Sequence, residues 1–190
     1  MHSLTFDAAV DPARAFAQEA LADLPDRLRH SEAVAQRARA ICATIDPADR
    51  PTLVAAAFLH DVGYSQIAMD TGFHPVDGAR LVLHRGWPPR IAALIAHHSG
   101  ADFAARELGL AGALAEFPDE CSTVTDALLY ADQSTGPRGE PLDAAERIKR
   151  SLQRHGPGSV NARVATERTP FLLEAVARVE DRLAELDELP

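Results

Sequence analysis

A chain of 190 residues with a formal net charge of -9 and a pI near 5.3 is sized for one folded unit, residues 1–190. That balance argues against gripping nucleic-acid polymers or anionic membranes, while a small anionic ligand stays open because local charge can overrule the average. No apolar run approaches the roughly 20 residues of a membrane span. The opening Met1-His2-Ser3-Leu4-Thr5-Phe6-Asp7 lacks the basic and apolar regions of a signal peptide, so a cytoplasmic protein is expected. Cys42 and Cys121 are too few and too far apart for a disulfide framework or a thiolate zinc site, and both read as small core residues.

The pattern is helical almost throughout, with abundant alanine, only 5% aromatics and no sustained alternation of β-branched residues. Asp11-Pro12 is a fitting N-cap and first-turn pair for a helix to about Leu24. A second helix should start near Pro25-Asp26 and run through His30, Val34, Ala38 and Ile41, until Asp46-Pro47 stops it. Asp49-Arg50-Pro51 opens a third, carrying Leu53, Val54, Ala57, Phe58 and His60. Gly72 precedes a helix from about Pro75 to His84, and Gly86-Trp87-Pro88-Pro89 separates it from one over Arg90 to His98. Further helices are expected over Ala101–Leu108, Ser122–Asp132, Leu142–Gln153 and about Pro170–Leu186, with a turn at His155-Gly156-Pro157-Gly158 and a solvated acidic end from Glu180 to Glu188.

Within this frame one dipeptide stands out. The apolar run Ala55-Ala56-Ala57-Phe58-Leu59 ends in His60-Asp61, an imidazole and a carboxylate that are costly to bury without partners. A metal ion satisfies both; the plainer alternative is a helix that ends at the surface, with Asp61 solvated and Gly63 as its stop. His30 lies on or near the apolar face of the second helix, and Asp132 ends the apolar segment Val124–Ala131. Two imidazoles and two carboxylates, from three helices, form a mixed nitrogen and oxygen set suited to Mn, Fe, Zn, Ni or Co.

The order His30, His60-Asp61, Asp132 resembles the H…HD…D signature of the HD-domain metal-dependent phosphohydrolases. The flanks are similar as well: Arg27-Leu28-Arg29-His30-Ser31-Glu32-Ala33-Val34-Ala35 resembles R-x-x-H-S-x-x-V-A, and Ala56 to Leu59 resembles the usual apolar lead into HD. The resemblance covers about residues 25–155 and implies an all-α, compact HD-domain helical bundle, here with an additional C-terminal helix. It implies one or two divalent ions held by His30, His60, Asp61 and Asp132, with Asp61 at the catalytic centre.

Phe73-His74-Pro75-Val76-Asp77-Gly78-Ala79 and Ile95-Ala96-His97-His98-Ser99-Gly100 resemble segments of an HD subset that holds two metals, among them hydrolases of dinucleoside tetraphosphates. By that resemblance His74 and His98 bind a second metal and Asp61 bridges the pair. Ser99-Gly100 is one residue shorter than the usual run, which leaves His97 and His98 as alternatives, with His97 otherwise placed against the substrate. Arg27 and Arg138 are candidates to hold phosphate oxygens, because a guanidinium matches that geometry bidentately. Arg147, Lys149, Arg150 and Arg154 read instead as a basic, exposed helix face.

The expected protein is therefore a metal-dependent phosphohydrolase that cleaves a phosphomonoester or phosphoanhydride of a small, nucleotide-type substrate, with homodimerisation left open. One rival is a di-iron HD oxygenase, although Gly63-Tyr64-Ser65 stands where those enzymes carry another histidine. The other is a non-catalytic, nucleotide-binding regulatory module on the same fold.

Overall fold

Helix α1 (His2–Ala20) starts well before the expected Asp11-Pro12 pair and passes through Pro12 in the computed structural model, which describes residues 2–188. Phe6, Val10, Ala13 and Ala17 recur at helical spacing and pack into the core, so the apolar stripe carries the helix past its proline. Helix α2 (Pro25–Ala40) starts on the expected proline. Helix α3 (Arg50–Leu59) and a tight 3-10 turn at Val62–Tyr64 follow.

Next come α4 (His74–His84), α5 (Pro89–His97), α6 (Ala101–Leu108), the short α7 (Ala111–Leu114) and α8 (Thr123–Gln133). Ser122 caps α8 through Val124 and Thr125 in a capping box. The chain closes with α9 (Ala144–His155), the short α10 (Val160–Arg163) and α11 (Ala165–Asp187). The elements α7 and α10 were not foreseen, since four residues are too few to show a hydrophobic period. Helix α11 begins at Ala165 rather than Pro170; a proline this near a helix start costs one backbone bond that buried Leu172, Ala175, Val176 and Val179 outweigh.

The structure is all-α: among the described residues there is no strand, only an isolated bridge between Thr135 and Pro141. Leu53 through Leu59 are all buried, because α3 runs between α1, α2, α5 and α8. Helix α11 lies on α8, with Glu180, Asp181, Glu185, Asp187 and Glu188 facing solvent as expected. The two cysteines are not core residues. Cys42 is half-buried in the turn after α2 and Cys121 is exposed in the loop before α8, so neither lies on an inward helical face. No helix among the described residues is long and apolar enough to cross a membrane.

Candidate metal centre

Because α3 is buried on every side, its C-terminal end lies in the protein interior. His60 and Asp61 are 1% and 2% exposed, which overturns the plainer picture of a surface helix end with a solvated carboxylate. Gly63 then sits against the start of α4: a Cβ there would penetrate the His74 carbonyl oxygen and lie 2.7 Å from the Gly78 amide nitrogen. This close backbone approach sets the first residue of α4, His74, beside the His60-Asp61 pair. Asp77 completes the arrangement by accepting from the Thr71 and Gly72 amides (both 2.9 Å) and the Thr71 hydroxyl (2.7 Å), which folds the loop that leads into His74.

From the other side, α5 ends at His97 and the chain turns sharply through Ser99 (φ 54°) and Gly100 (φ 63°). A left-handed serine is unusual, and here the turn leaves His98 facing inward while Ser99 Oγ donates to Asp132. Helix α8 delivers Asp132 and Gln133 at its last turn, and α2 contributes Arg27 and His30 from one face.

The structure thus brings His30, His60, Asp61, His74, His98 and Asp132 together. His30 Nε2 is 3.0 Å from Asp132 Oδ1, and His60 Nε2 is 3.6 Å from Asp61 Oδ1 and 3.9 Å from Asp132 Oδ1. His74 Nε2 is 3.7 Å from Asp61 Oδ1 and 3.2 Å from His98 Nε2. Asp61 Oδ1 therefore lies between His60 and His74, while its Oδ2 accepts from Arg27 at 3.0 Å. Ligand atoms of His30, His60 and Asp132, and those of His60, Asp61 and His98, lie within 4.8 Å of one another.

These residues fit a metal ion. His30, His60 and His98 each donate from Nδ1 to a backbone carbonyl, those of Gly136 (2.9 Å), Ala57 (2.8 Å) and Ile95 (2.6 Å). A carbonyl only accepts, so Nδ1 carries the hydrogen and each Nε2 is turned toward the centre. His30 Nε2 lies against the Asp132 carboxylate, which, despite the desolvation of burial, raises the His30 pKa. The Nε2 atom of His60 is fully buried and has no hydrogen-bond partner, although two carboxylates stand nearby. A buried lone pair left this way is unfavourable unless a cation takes it up.

For His60 and His74 the electrostatics run the same way. Burial, foremost, pushes the His60 imidazole down to about 4, and burial together with His98 holds His74 well below its ordinary value. Both are therefore neutral at pH 7, the form that ligates metals. Burial alone would raise the Asp61 and Asp132 carboxyls. The surrounding His60 and Arg27 for Asp61, and Arg147 and His30 for Asp132, hold both far below the usual carboxylate range.

His97 and Arg138 do not reach this centre. His97 points the other way, with Nδ1 3.0 Å from Asp102 Oδ2 and Nε2 2.8 Å from the Phe117 carbonyl. Adjacent residues at a helix end project in different directions, so only His98 faces the site. Arg138 is exposed at the tip of the loop after α8 and lies outside the pocket lining, because the bridge of Thr135 with Pro141 turns that loop away.

The basic-face reading of α9 fails for Arg147 in turn. Its Nη2 donates to Asp132 Oδ1 at 2.6 Å, Nη1 to Gln133 Oε1 at 3.1 Å and Nε to the Thr135 carbonyl at 2.6 Å. Lys149 and Arg150 remain exposed. The sequence reading also missed Ser99, Gln133, Tyr64 and Arg168. Ser99 and Gln133 each adjoin an expected ligand, a usable signal; Arg147 and Arg168 had none, because only packing of α9 and α11 brings them near. The centre opens into a small pocket of about 120 Å³, lined also by Arg27, Tyr64, Arg147, Arg154 and Arg168.

Separate helices of an all-α bundle thus converge on histidines and aspartates whose donor atoms are close enough to hold a metal ion. The HD-domain pattern matches residues 27–149, and the chain belongs to the HD-domain family, a superfamily of the metal-dependent phosphohydrolase type. No curated protein and no solved structure matches the chain.

Proposed function

We propose that this protein is a metal-dependent phosphohydrolase with a binuclear centre, in which His30, His60, Asp61 and Asp132 hold one ion and His74 and His98, with Asp61 shared, hold a second. The observation that carries the reading is the buried, partnerless Nε2 of His60, faced by two carboxylates and tied back through Nδ1. When bound, divalent ions supply Lewis acidity to phosphoryl oxygens and acidify a water for attack on phosphorus.

The chain's own groups do the rest. Arg27, at the pocket rim and paired with Asp61 Oδ2, is positioned to transfer a guanidinium hydrogen bond to an incoming phosphate oxygen. Arg147, Ser99 and Gln133 keep Asp132 ionised and oriented. Buried walls of α3 and α8 exclude bulk water and strengthen each of these interactions. A phosphomonoester or phosphoanhydride of nucleotide type is the substrate favoured by the resemblance to the two-metal subset. Its phosphates would enter the pocket while the nucleoside stays outside, since 120 Å³ is well below the roughly 300–1,000 Å³ of pockets that engulf whole small molecules.

Metal content per chain, in protein purified without added metal or chelator, tests this directly. Close to two ions is expected in the wild type and close to one in a His74→Ala, His98→Ala double variant. One ion in both forms would retire the second site, and none would end the metallohydrolase reading. A further check concerns Arg147→Met, which removes the nearest cation from Asp132. Metal retention against a chelator is expected to weaken by about 10–100-fold, with unchanged retention showing that His30, Ser99 and Gln133 suffice.

A further inference from the structure

Two of the four guanidinium groups around the pocket are neutralised in place, Arg27 by Asp61 and Arg147 by Asp132. Arg154 and Arg168 have no carboxylate partner among the described residues. Arg154 is exposed at the rim, with Nη2 3.5 Å from His155 Nε2, whereas Arg168 is half-buried. Arg168 is also held rigidly: Nε donates to the Ser99 carbonyl at 2.9 Å and Nη1 to Asn161 Oδ1 at 2.9 Å, which leaves Nη2 without a protein partner. Ser99 in turn touches Asp132, so the guanidinium is registered against the metal centre by a single intervening residue.

A fixed, half-buried guanidinium with no direct ion pair leaves positive potential facing the pocket, and a chain of net charge -9 has carboxylates enough to have paired it. The missing anion is therefore expected from outside. Arg154, Asn161 and Arg168 all lie beyond residues 27–149, so this feature belongs to the C-terminal segment and not to the matched HD core. The pocket offers little else to recognise: apart from imidazoles its one aromatic ring is Tyr64, already stacked on His74 at 4.0 Å and covered by Arg27 at 4.0 Å.

We propose that Arg168, fixed by Ser99 and Asn161 and assisted by Arg154, forms a second anion subsite, so that the substrate carries another anionic group close to its scissile phosphoryl group. The second group is the neighbouring phosphoryl of an anhydride or a carboxylate on a compact skeleton, since both present anionic oxygens to a guanidinium fork. This inference rests on the hydrolase reading for what happens at the first group.

Calorimetric titration of the full chain with orthophosphate, inorganic pyrophosphate and phosphoglycolate tests it, with metal per chain measured before and after each titration. At least one of the two probes that carry a second anionic group should bind about 10-fold or more tighter than orthophosphate. That ratio should shrink to within about 3-fold in Arg168→Met and be partly restored in Arg168→Lys. Arg154→Met, a surface change that leaves the fold intact, should reduce the ratio by a smaller factor. Equal binding of all three probes by the wild type, or a ratio preserved in both methionine variants, would overturn the proposal. A preference for pyrophosphate over phosphoglycolate, or the reverse, identifies the source of the second charge. Absence of metal would sink the hydrolase reading, while the probe ratio would still decide the subsite.

Discussion

Replacing Asp61 with asparagine is expected to lower turnover of the best phosphoester or phosphoanhydride substrate by at least about 10³-fold. The change is nearly isosteric, so packing beneath His60 survives, but the environment around residue 61 was built for a charge. In the native chain Asp61 Oδ1 faces His60 and His74 while Oδ2 takes the Arg27 hydrogen bond. Asparagine offers one accepting oxygen and presents an NH2 to a neighbouring imidazole or guanidinium. Both proposed ion positions share this residue, so metal content should fall together with activity. Turnover within about 10-fold of wild type, with full metal occupancy, would show that Asp61 is a buried structural carboxylate and not the shared ligand.

Gly63→Ala should be the most damaging of the glycine-to-alanine changes among the described residues. The added Cβ would collide with the His74 carbonyl and crowd the Gly78 amide, both of them backbone atoms that no rotamer change can move. Overpacking costs of about 1–3 kcal/mol are typical where side chains can yield, so about 3 kcal/mol or more is expected here. For a chain of this size that corresponds to a melting temperature roughly 6–12 °C lower. The start of α4 must also retreat from the His60-Asp61 turn, which carries His74 away from His98 and weakens the second proposed ion position ahead of the first. Thermal unfolding monitored by circular dichroism, with metal content read in parallel, checks both. An unchanged melting temperature would mean that α4 does not approach the turn this closely.

Much of this architecture was legible in the residues themselves. Helix starts at Pro25, Arg50-Pro51 and Ser122 are local events, governed by proline at the first turn or a serine cap, and local chemistry is written in a few adjacent letters. The ordered set His30, His60-Asp61 and Asp132 was equally readable, because an ionisable group at the end of an apolar helix is anomalous wherever that helix packs. Helix α1 was misjudged because Pro12 is a strong local signal, whereas the contacts of Phe6 and Val10 that override it are made with distant parts of the chain.

Tertiary structure alone decided which histidine of His97-His98 faces inward, since the direction depends on the left-handed turn at Ser99 and Gly100. It also exchanged the roles of the arginines. Arg138 stands beside Asp132 in sequence yet points to solvent, while Arg147 and Arg168, on α9 and α11, close around the pocket. Residue type and spacing by themselves determined an all-helical chain with a converging histidine and aspartate set. Where each cation sits was settled by the packing of α9 and α11 on α8, because long side chains reach several ångströms from their helix and their direction follows from neighbours far away in the chain.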